Sequence, residues 1–432
     1  MYKKFATNSF VRSVIMVVSG AAGAQLLTML FAPIITRFYG AEAFGLLGTF
    51  TAVLAILVPI AALAYPIAIV LPKNDDDARA IAKLSIYISM LVSTIILVSI
   101  ILFSNDIADL LNVGAIENYL ILVPFALFFA AAEQVMQQWL IRKKQFKVLA
   151  RVAVSQSLIL NSSKVGIGYF SPLGLILVIL ATLGNALYAF QLWICSYKTT
   201  VPNDRIAYKK IYFKRVKEVA LIYRDFPLYR APQQFINALS QSLPILMLAS
   251  FFGPASAGFY TLAKTVMAIP STLVGKAVGD VFYPRITEAA HNNENLYQLI
   301  KKATFALAAL GFLPFMSVIL FGPWLFGFVF GEEWVLAGEY ARWLSVWIYF
   351  MFMNPPSNKA IPILEIQGFY LFFTFFTVFL RIIALLVGYF VFKSDVISVM
   401  LFSIAGAVIN IAIITIVLCK SRKFNIGRYL ND

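Results

Sequence analysis

Runs of apolar residues dominate this chain: over 432 residues, one long uncharged stretch follows another with only short polar breaks between them. A helix of about 20 apolar residues crosses the hydrocarbon core of a bilayer, and it does so with every backbone group satisfied internally. Twelve such spans are expected, near 11–36, 44–71, 80–103, 117–139, 148–169, 172–195, 228–252, 258–284, 303–322, 339–360, 367–391 and 396–419. The fifth is the least apolar, because Ser155, Gln156, Ser157, Asn161, Ser162, Ser163 and Lys164 crowd its middle. Asn354, Pro355 and Pro356 interrupt the tenth, so a kink or an early end is expected there. Composition agrees: 61% of residues are hydrophobic and 13% charged, against roughly 45–50% and about 25% in soluble domains. A single soluble domain, a disordered chain and a collagen-like chain are excluded, and the expected fold is all-α and integral to the membrane.

The start has the look of a cleaved signal, with Lys3 and Lys4, an apolar stretch and then Ala22-Gly23-Ala24. The apolar run nevertheless continues through Leu26, Leu27, Leu30 and Phe31 to Ile35, beyond the roughly 7–15 residues of a signal core. It reads as an uncleaved first span.

The net charge of +15 invites a nucleic-acid partner, but the position of the charge argues against one. Alternating the twelve spans places 27 of the 35 basic residues on one side, eight of them between Lys198 and Arg224, and only Arg37 and Lys393 on the other. Basic loops stay cytoplasmic, so both termini are expected inside and no nucleic acid is needed. A solvated loop is the expectation for the basic stretch, with contact to anionic membrane lipids the alternative. His291 is the only histidine, which excludes a His-based metal site or triad; Cys195 and Cys419 have neither metal-ligand spacing nor enough company for a disulfide framework. No acid/base or nucleophile cluster appears, so an enzyme is not expected, and neither is a cofactor.

Two segments look alike at an offset of 213 residues. Phe38-Tyr-Gly-Ala-Glu-Ala-Phe-Gly45 matches Phe251-Phe-Gly-Pro-Ala-Ser-Ala-Gly258, each in the tight turn between the first and second spans of its half. Tyr65-Pro66 and Tyr283-Pro284 then close the second spans, and Asn185 before Cys195 parallels Asn410 before Cys419 in the sixth. The expected organisation is a duplicated six-helix unit: an N-terminal lobe 1–197, a basic cytoplasmic linker 198–225 and a C-terminal lobe 226–432. Six spans return the chain to its starting side, so the copies are parallel, with substrate held between lobes that rock.

Six basic residues fall at membrane depth: Lys164, Arg230, Lys264, Lys276, Arg342 and Arg381. Arg230 and Arg342 lie near helix starts and can snorkel. Lys276 has Asp280 four residues on, in reach of an intrahelical pair. Lys264 and Arg381 have no carboxylate at i±3 or i±4, and a lone cation at the bilayer centre costs about 2.5–3.5 kcal/mol on insertion scales, so both should face a protein cavity suited to an anion. Acidic groups at depth are fewer: Glu133, Asp280 and Glu365. Gln25 and Thr28 on the first span, and Gln234, Asn237 and Gln241 on the seventh, either glue helices together or line the cavity and meet sugar hydroxyls.

The chain resembles the polysaccharide-biosynthesis branch of the multidrug/oligosaccharidyl-lipid/polysaccharide exporter superfamily, the Wzx-type O-antigen flippases. The resemblance spans nearly all of it, and its most specific local feature is the opening FAPIITRFYGAEAFGLLGTF, with Arg37, Tyr39, Gly40 and Gly45 at the turn. It implies a central cavity lined by spans 1, 2, 7 and 8 in a bacterial inner membrane. It also implies a cargo, an undecaprenyl-pyrophosphate-linked oligosaccharide made inside and passed to polymerisation machinery outside. Lys264 and Lys276 would then face the pyrophosphate, with Arg381 and Lys164 as further cationic candidates. A cation/drug antiporter and a lipid II flippase are the alternatives, and coupling to H⁺ or Na⁺ is left open.

Overall fold

A computed structural model describes residues 9–111, 114–199, 206, 213–292 and 294–429; for 9–18, 104–111, 114–116, 118, 198–199, 213, 272–281, 284, 291, 371 and 423–429 it describes the backbone alone. Lys276, Asp280 and His291 therefore have no described side chain, and within the basic stretch after Lys198 residues 200–205 and 207–212 lie outside the described residues.

Among the described residues twelve long helices follow one another: α1 Ser9–Phe38, α2 Ala41–Ala61, α3 Asp75–Leu111, α4 Val123–Arg142, α5 Phe146–Phe170, α6 Gly174–Thr199, α7 Ala231–Phe252, α8 Pro254–His291, α9 Leu296–Phe330, α10 Val335–Phe352, α11 Gln367–Phe390 and α12 Asp395–Tyr429. Among the described residues nine are long and apolar enough to cross a membrane; α5, α8 and α10 are the others. The polar run from Ser155 to Lys164 lowers α5, and Glu339 and Arg342 sit within the 18 residues of α10. As the prolines foretold, α10 stops at Phe352, and a short helix Pro355–Ala360 follows. Gly253 (φ 92°) ends α7 and Gly331 (φ 115°) ends α9, each in a backbone region that side chains rarely enter.

The second span departs from expectation. It does not run to residue 71; α2 ends at Ala61, and Tyr65–Ala68 forms a separate turn of helix. Between them Leu63 (φ 50°) and Ala64 (φ 58°) are both left-handed, a conformation costing about 1–2 kcal/mol for each residue with a Cβ. Pro59 inside α2 and Pro66 just beyond supply the reason, since each removes a helix hydrogen bond. The equivalent helix of the second half, α8, runs through its own Tyr283-Pro284 to His291.

The chain forms two compact units, Met1–Gly258 and Phe259–Asp432. In the first, α1 lies along α5, α4 along α6, and α7 along α2. The packing boundary thus falls later than residue 226, the lobe boundary read from the repeat, because α7 lies along α2. Both copies of the repeated turn belong to this unit, and they meet. A Cβ on Gly45 would stand 1.8 Å from the Pro254 carbonyl oxygen, and one on Gly258 would stand 1.9 Å from that of Ala41. The eighth residue of each copy therefore meets the fourth of the other, a reciprocity of the kind a two-fold axis produces.

Polar bonds and a docked segment close this unit at the Asp75 end of α3. Arg142 donates to the carbonyls of Ile69 and Pro72 (3.2 and 2.7 Å), and pairs with Asp75. The short helix Phe213–Ile222, within the basic stretch, buries Val216 and Val219 beside Trp139 and ties Arg215 to Asp77. That part of the linker is docked rather than solvated. In the second unit α9 packs on α10, and α12 contacts α10, α11 and α9.

Candidate functional site

In the second unit the aromatic residues fix the geometry. Gly406 on α12 leaves room for a ring: a Cβ there would fall 2.6 Å from Trp347 of α10. Trp347 therefore lies against the α12 backbone and meets Phe402 edge-on, with ring centroids 5.2 Å apart. Arg381, midway along α11, spreads its guanidinium over this shelf, 4.7 Å from the Trp347 ring and 5.6 Å from Phe402. A desolvated contact of this type contributes about 2 kcal/mol. It holds the charge in the bundle without a carboxylate: among the described residues Arg381 has no ion pair.

Lys264 on α8 joins it. Its ammonium sits 5.9 Å from the ring of Tyr260, one turn earlier, and Arg381 interacts electrostatically with both Lys264 and Tyr260. The two cations without local carboxylates, read from the sequence as separate candidates, therefore belong to one cluster. Three of its buried atoms, Arg381 Nε, the Tyr260 hydroxyl and Trp347 Nε1, have no hydrogen-bond partner. A buried donor left unmatched costs about 1–3 kcal/mol, so three in one place call for an explanation. Donors and positive charge gathered on aromatic walls make an environment that an anion completes.

The remaining candidates behave differently. Thr28 on α1 accepts from Asn161 Nδ2 (3.2 Å) and lies 3.1 Å from Ser157 Oγ, while Ser157 donates to the Ala24 carbonyl (2.8 Å). Together with Gly20, where a Cβ would come within 2.5 Å of Ala150, these bonds join α1 to α5. Gln25 is half-buried on the same helix; Gln234 is half-buried and Asn237 and Gln241 exposed along α7. Lys164 lies on α5, where the Tyr39 hydroxyl donates to its carbonyl (3.2 Å). Glu133 on α4 accepts from Gln137 (2.9 Å) and interacts electrostatically with Tyr188. All of these are in the first unit, and none joins the Lys264–Arg381 cluster.

Sequence reasoning missed Tyr260, Trp347 and Phe402. Tyr260, at i−4 from Lys264, was available by helical spacing; nothing in the sequence tied Trp347 to Arg381. It also missed Glu339, which pairs with Arg342 (2.9 Å) while Arg342 Nε donates to the Ile319 carbonyl (3.0 Å), so that this arginine is held by protein. Among the described residues no group of three or more His, Cys, Asp or Glu side chains is placed to hold a metal ion.

Residues 34–338 match the family described as polysaccharide biosynthesis protein. The amylovoran biosynthesis protein AmsL of Erwinia amylovora is 22% identical over 236 residues, 54% of this chain and 57% of that protein. The succinoglycan biosynthesis transport protein ExoT of Rhizobium meliloti (strain 1021) is 19% identical over 329 residues, 74% of this chain and 61% of that protein. The chain thus spans under two thirds of the length of these relatives. In fold it is similar to a multidrug resistance MATE family transporter of the MOP superfamily in its inward-facing conformation, with a TM-score of 0.69 at 13% identity, covering 95% of this chain and 94% of that one. It is also similar to the lipid II flippase MurJ in its inward closed conformation, with a TM-score of 0.67 at 13% identity, covering 97% and 93%. These scores place the fold.

Proposed function

The chain belongs to the polysaccharide biosynthesis protein family, and on that premise we propose that it is a transporter, which translocates an undecaprenyl-pyrophosphate-linked oligosaccharide repeat unit from the cytoplasmic to the outer leaflet. The observation that carries this reading is the cluster of Lys264, Arg381 and Tyr260, whose charge and unmatched donors suit a pyrophosphate. Arginine offers a planar fork of donors for phosphate oxygens, and lysine adds a point charge beside it. Every such unit carries the pyrophosphate whatever its sugars, so this shared anionic group is the natural handle for a transporter whose sugars vary. Lys276 and Lys164 are further cationic candidates in this reading, and Gln25, Thr28, Gln234, Asn237 and Gln241 are candidates for sugar hydroxyls. Two six-helix lobes, 1–197 and 226–432, alternate access around the cargo, and both termini are cytoplasmic by the charge bias. A polymerase that consumes the delivered unit would draw transport outward.

The drug/cation antiporter reading has one observation in its favour, the carboxylate of Glu133 set between Gln137 and Tyr188 in the first unit. One experiment separates the two. Proteoliposomes carrying a fluorescent undecaprenyl-pyrophosphate oligosaccharide, with a membrane-impermeant quencher outside, report flipping, and a cationic dye is run in parallel. Protein-dependent loss of leaflet protection without dye transport is the expected result. Dye movement driven by an ion gradient, with the lipid static, would overturn the proposal. Orientation is tested separately by thiol labelling from outside: Lys393→Cys is expected to react and Lys359→Cys to be protected.

A further inference from the structure

Two irregular stretches of backbone meet in the first unit, just ahead of α7. Pro232 has no N–H for the Leu228 carbonyl, so the helix cannot keep its register there. Ala231 donates instead to the Phe226 carbonyl, five residues back, and Phe226–Arg230 forms a single π-helical turn. Such single turns are rare and occur frequently at functional sites. Against this one lies the turn Tyr65–Ala68, which follows the left-handed Leu63 and Ala64. Strained residues of that kind persist where their surroundings hold them, and they cluster at ligand-binding and switch regions. The equivalent helix α8 runs on without a break, so the repeated architecture does not demand one here.

Where the two turns meet is a cavity of about 460 Å³, lined by Ile67 from one and by Asp225, Phe226, Tyr229, Arg230 and Gln233 from the other side. The volume is within the roughly 300–1,000 Å³ of small-molecule sites. In an α-helix Asp225 and Arg230 would point about 140° apart, and the five-residue turn brings both onto the cavity. Arg230 Nη1 donates to Gln233 Oε1 (3.0 Å), which sets the guanidinium and the carboxamide side by side. Among the described residues the side chains of Asp225 and Tyr229 make no hydrogen bond or ion pair.

This mixture selects its ligand. Carboxylate, guanidinium and carboxamide each present paired acceptors or donors in one plane, a pattern that matches neighbouring hydroxyls on a ring. Tyr229, 72% exposed, and the half-buried Phe226 offer the negative faces of their rings to polarised C–H groups. A bare phosphate suits the cavity poorly, because the Asp225 carboxylate lines the same space as Arg230. A hydrocarbon chain would strip Asp225, Arg230 and Gln233 of water without replacing it. A neutral ring with hydroxyls on its edge and C–H groups on its face satisfies every wall, and a pyranose is such a ring.

We propose that this cavity is a monosaccharide subsite, in which Asp225, Arg230 and Gln233 hold ring hydroxyls and Tyr229 stacks on the sugar face. Assigning that sugar to the translocated unit rests on the cargo reading above; the binding itself does not. The subsite shares no residue with the Lys264–Arg381 cluster.

The purified full chain in phosphatidylcholine nanodiscs is offered D-glucose, D-galactose and N-acetyl-D-glucosamine, and saturation-transfer difference NMR reads binding at the ring protons. At least one of these sugars is expected to bind the wild type. Asp225→Asn should weaken that binding about tenfold, through loss of a charged hydrogen bond. Tyr229→Ala should weaken it about three- to tenfold, through loss of an aromatic contact. Both side chains are exposed, so the thermal midpoint should hold in each variant. A wild type that binds none of the sugars overturns the subsite, and so does binding that both variants leave unchanged. Displacement of the sugar by inorganic phosphate overturns it too, assigning the cavity to an anion. The flipping assay tests the cargo reading by itself: sugar binding by a chain that moves no lipid-linked oligosaccharide leaves the subsite standing and removes only its assignment to the cargo.

Discussion

Two regions of the molecule, the α1–α5 seam and the Lys264–Arg381 cluster, carry membrane-depth polarity in opposite ways. Between α1 and α5, Thr28, Ser157 and Asn161 bond to one another and to backbone carbonyls, and their polarity is spent inside the protein. In the second unit Arg381 and Lys264 lie on aromatic faces, with unmatched donors around them. Both solutions satisfy the rule that polar groups at depth must face protein. Only the second leaves capacity for a ligand, so a polar residue in a span is informative about transport when its donors are not already paired with neighbouring helices.

The comparison can be broken from either side. The largest effect is expected where the first unit has no space at all: Gly258→Leu places a side chain 1.9 Å from the Ala41 carbonyl oxygen, and detergent-extracted variant should run as aggregate on size exclusion. Next comes the cluster. Arg381→Ala should leave the protein folded and lower the flipping rate about 10- to 100-fold, the equivalent of the about 1.5–3 kcal/mol of a charged hydrogen bond. Arg381→Lys keeps the charge but loses the fork and the stack on Trp347, so its rate should fall between the two.

The α1–α5 seam should respond in the reverse manner. Asn161→Ala is expected to cost about 0.6–1.7 kcal/mol of stability, read as a lower thermal midpoint, with transport per folded molecule unchanged. A transport defect without destabilisation would move Thr28 and its partners into the cargo path. The smallest effect belongs to the exposed pair between Arg285 and Glu294 (2.5 and 3.1 Å), where the guanidinium holds the Glu294 carboxyl below its ordinary range. A depressed carboxylate contributes stability above its unfolded value of about 4.3, and loses it as the pH falls through the lower folded value. Glu294→Gln should lower the thermal midpoint slightly at neutral pH and not at all once the carboxyl is protonated, flattening the acid limb; the effect is small because the pair is screened by water.

Much of this architecture is written in local pattern. Hydropathy located the long helices, Asn354-Pro355-Pro356 located the end of α10, and the polar run of α5 marked the least apolar of the expected spans. The break after Ala61 was not legible, since Pro59 and Pro66 permit a kink without specifying two left-handed residues between them. At the candidate site the chemistry was legible and the assembly was not. Lys264 and Arg381 stood out because each lacks a carboxylate on its own helix, whereas their meeting depends on how α8, α10, α11 and α12 pack. No periodicity encodes that, so Trp347 looked like any other apolar residue of its span. The repeated turns show the intermediate case: the glycines were visible as a pair, but their reciprocal contact emerged only in three dimensions.

The central claim is that the cluster in the second unit holds the anionic group of the cargo. Its most direct test is the dissociation constant of an undecaprenyl-pyrophosphate oligosaccharide for purified wild type and for Arg381→Gln, with thermal midpoints taken on the same samples. Binding is expected to weaken by at least about tenfold, the equivalent of about 1.4 kcal/mol, in a variant that stays folded, with its midpoint lowered only by the loss of the stack on Trp347. An unchanged dissociation constant in a folded variant would contradict it.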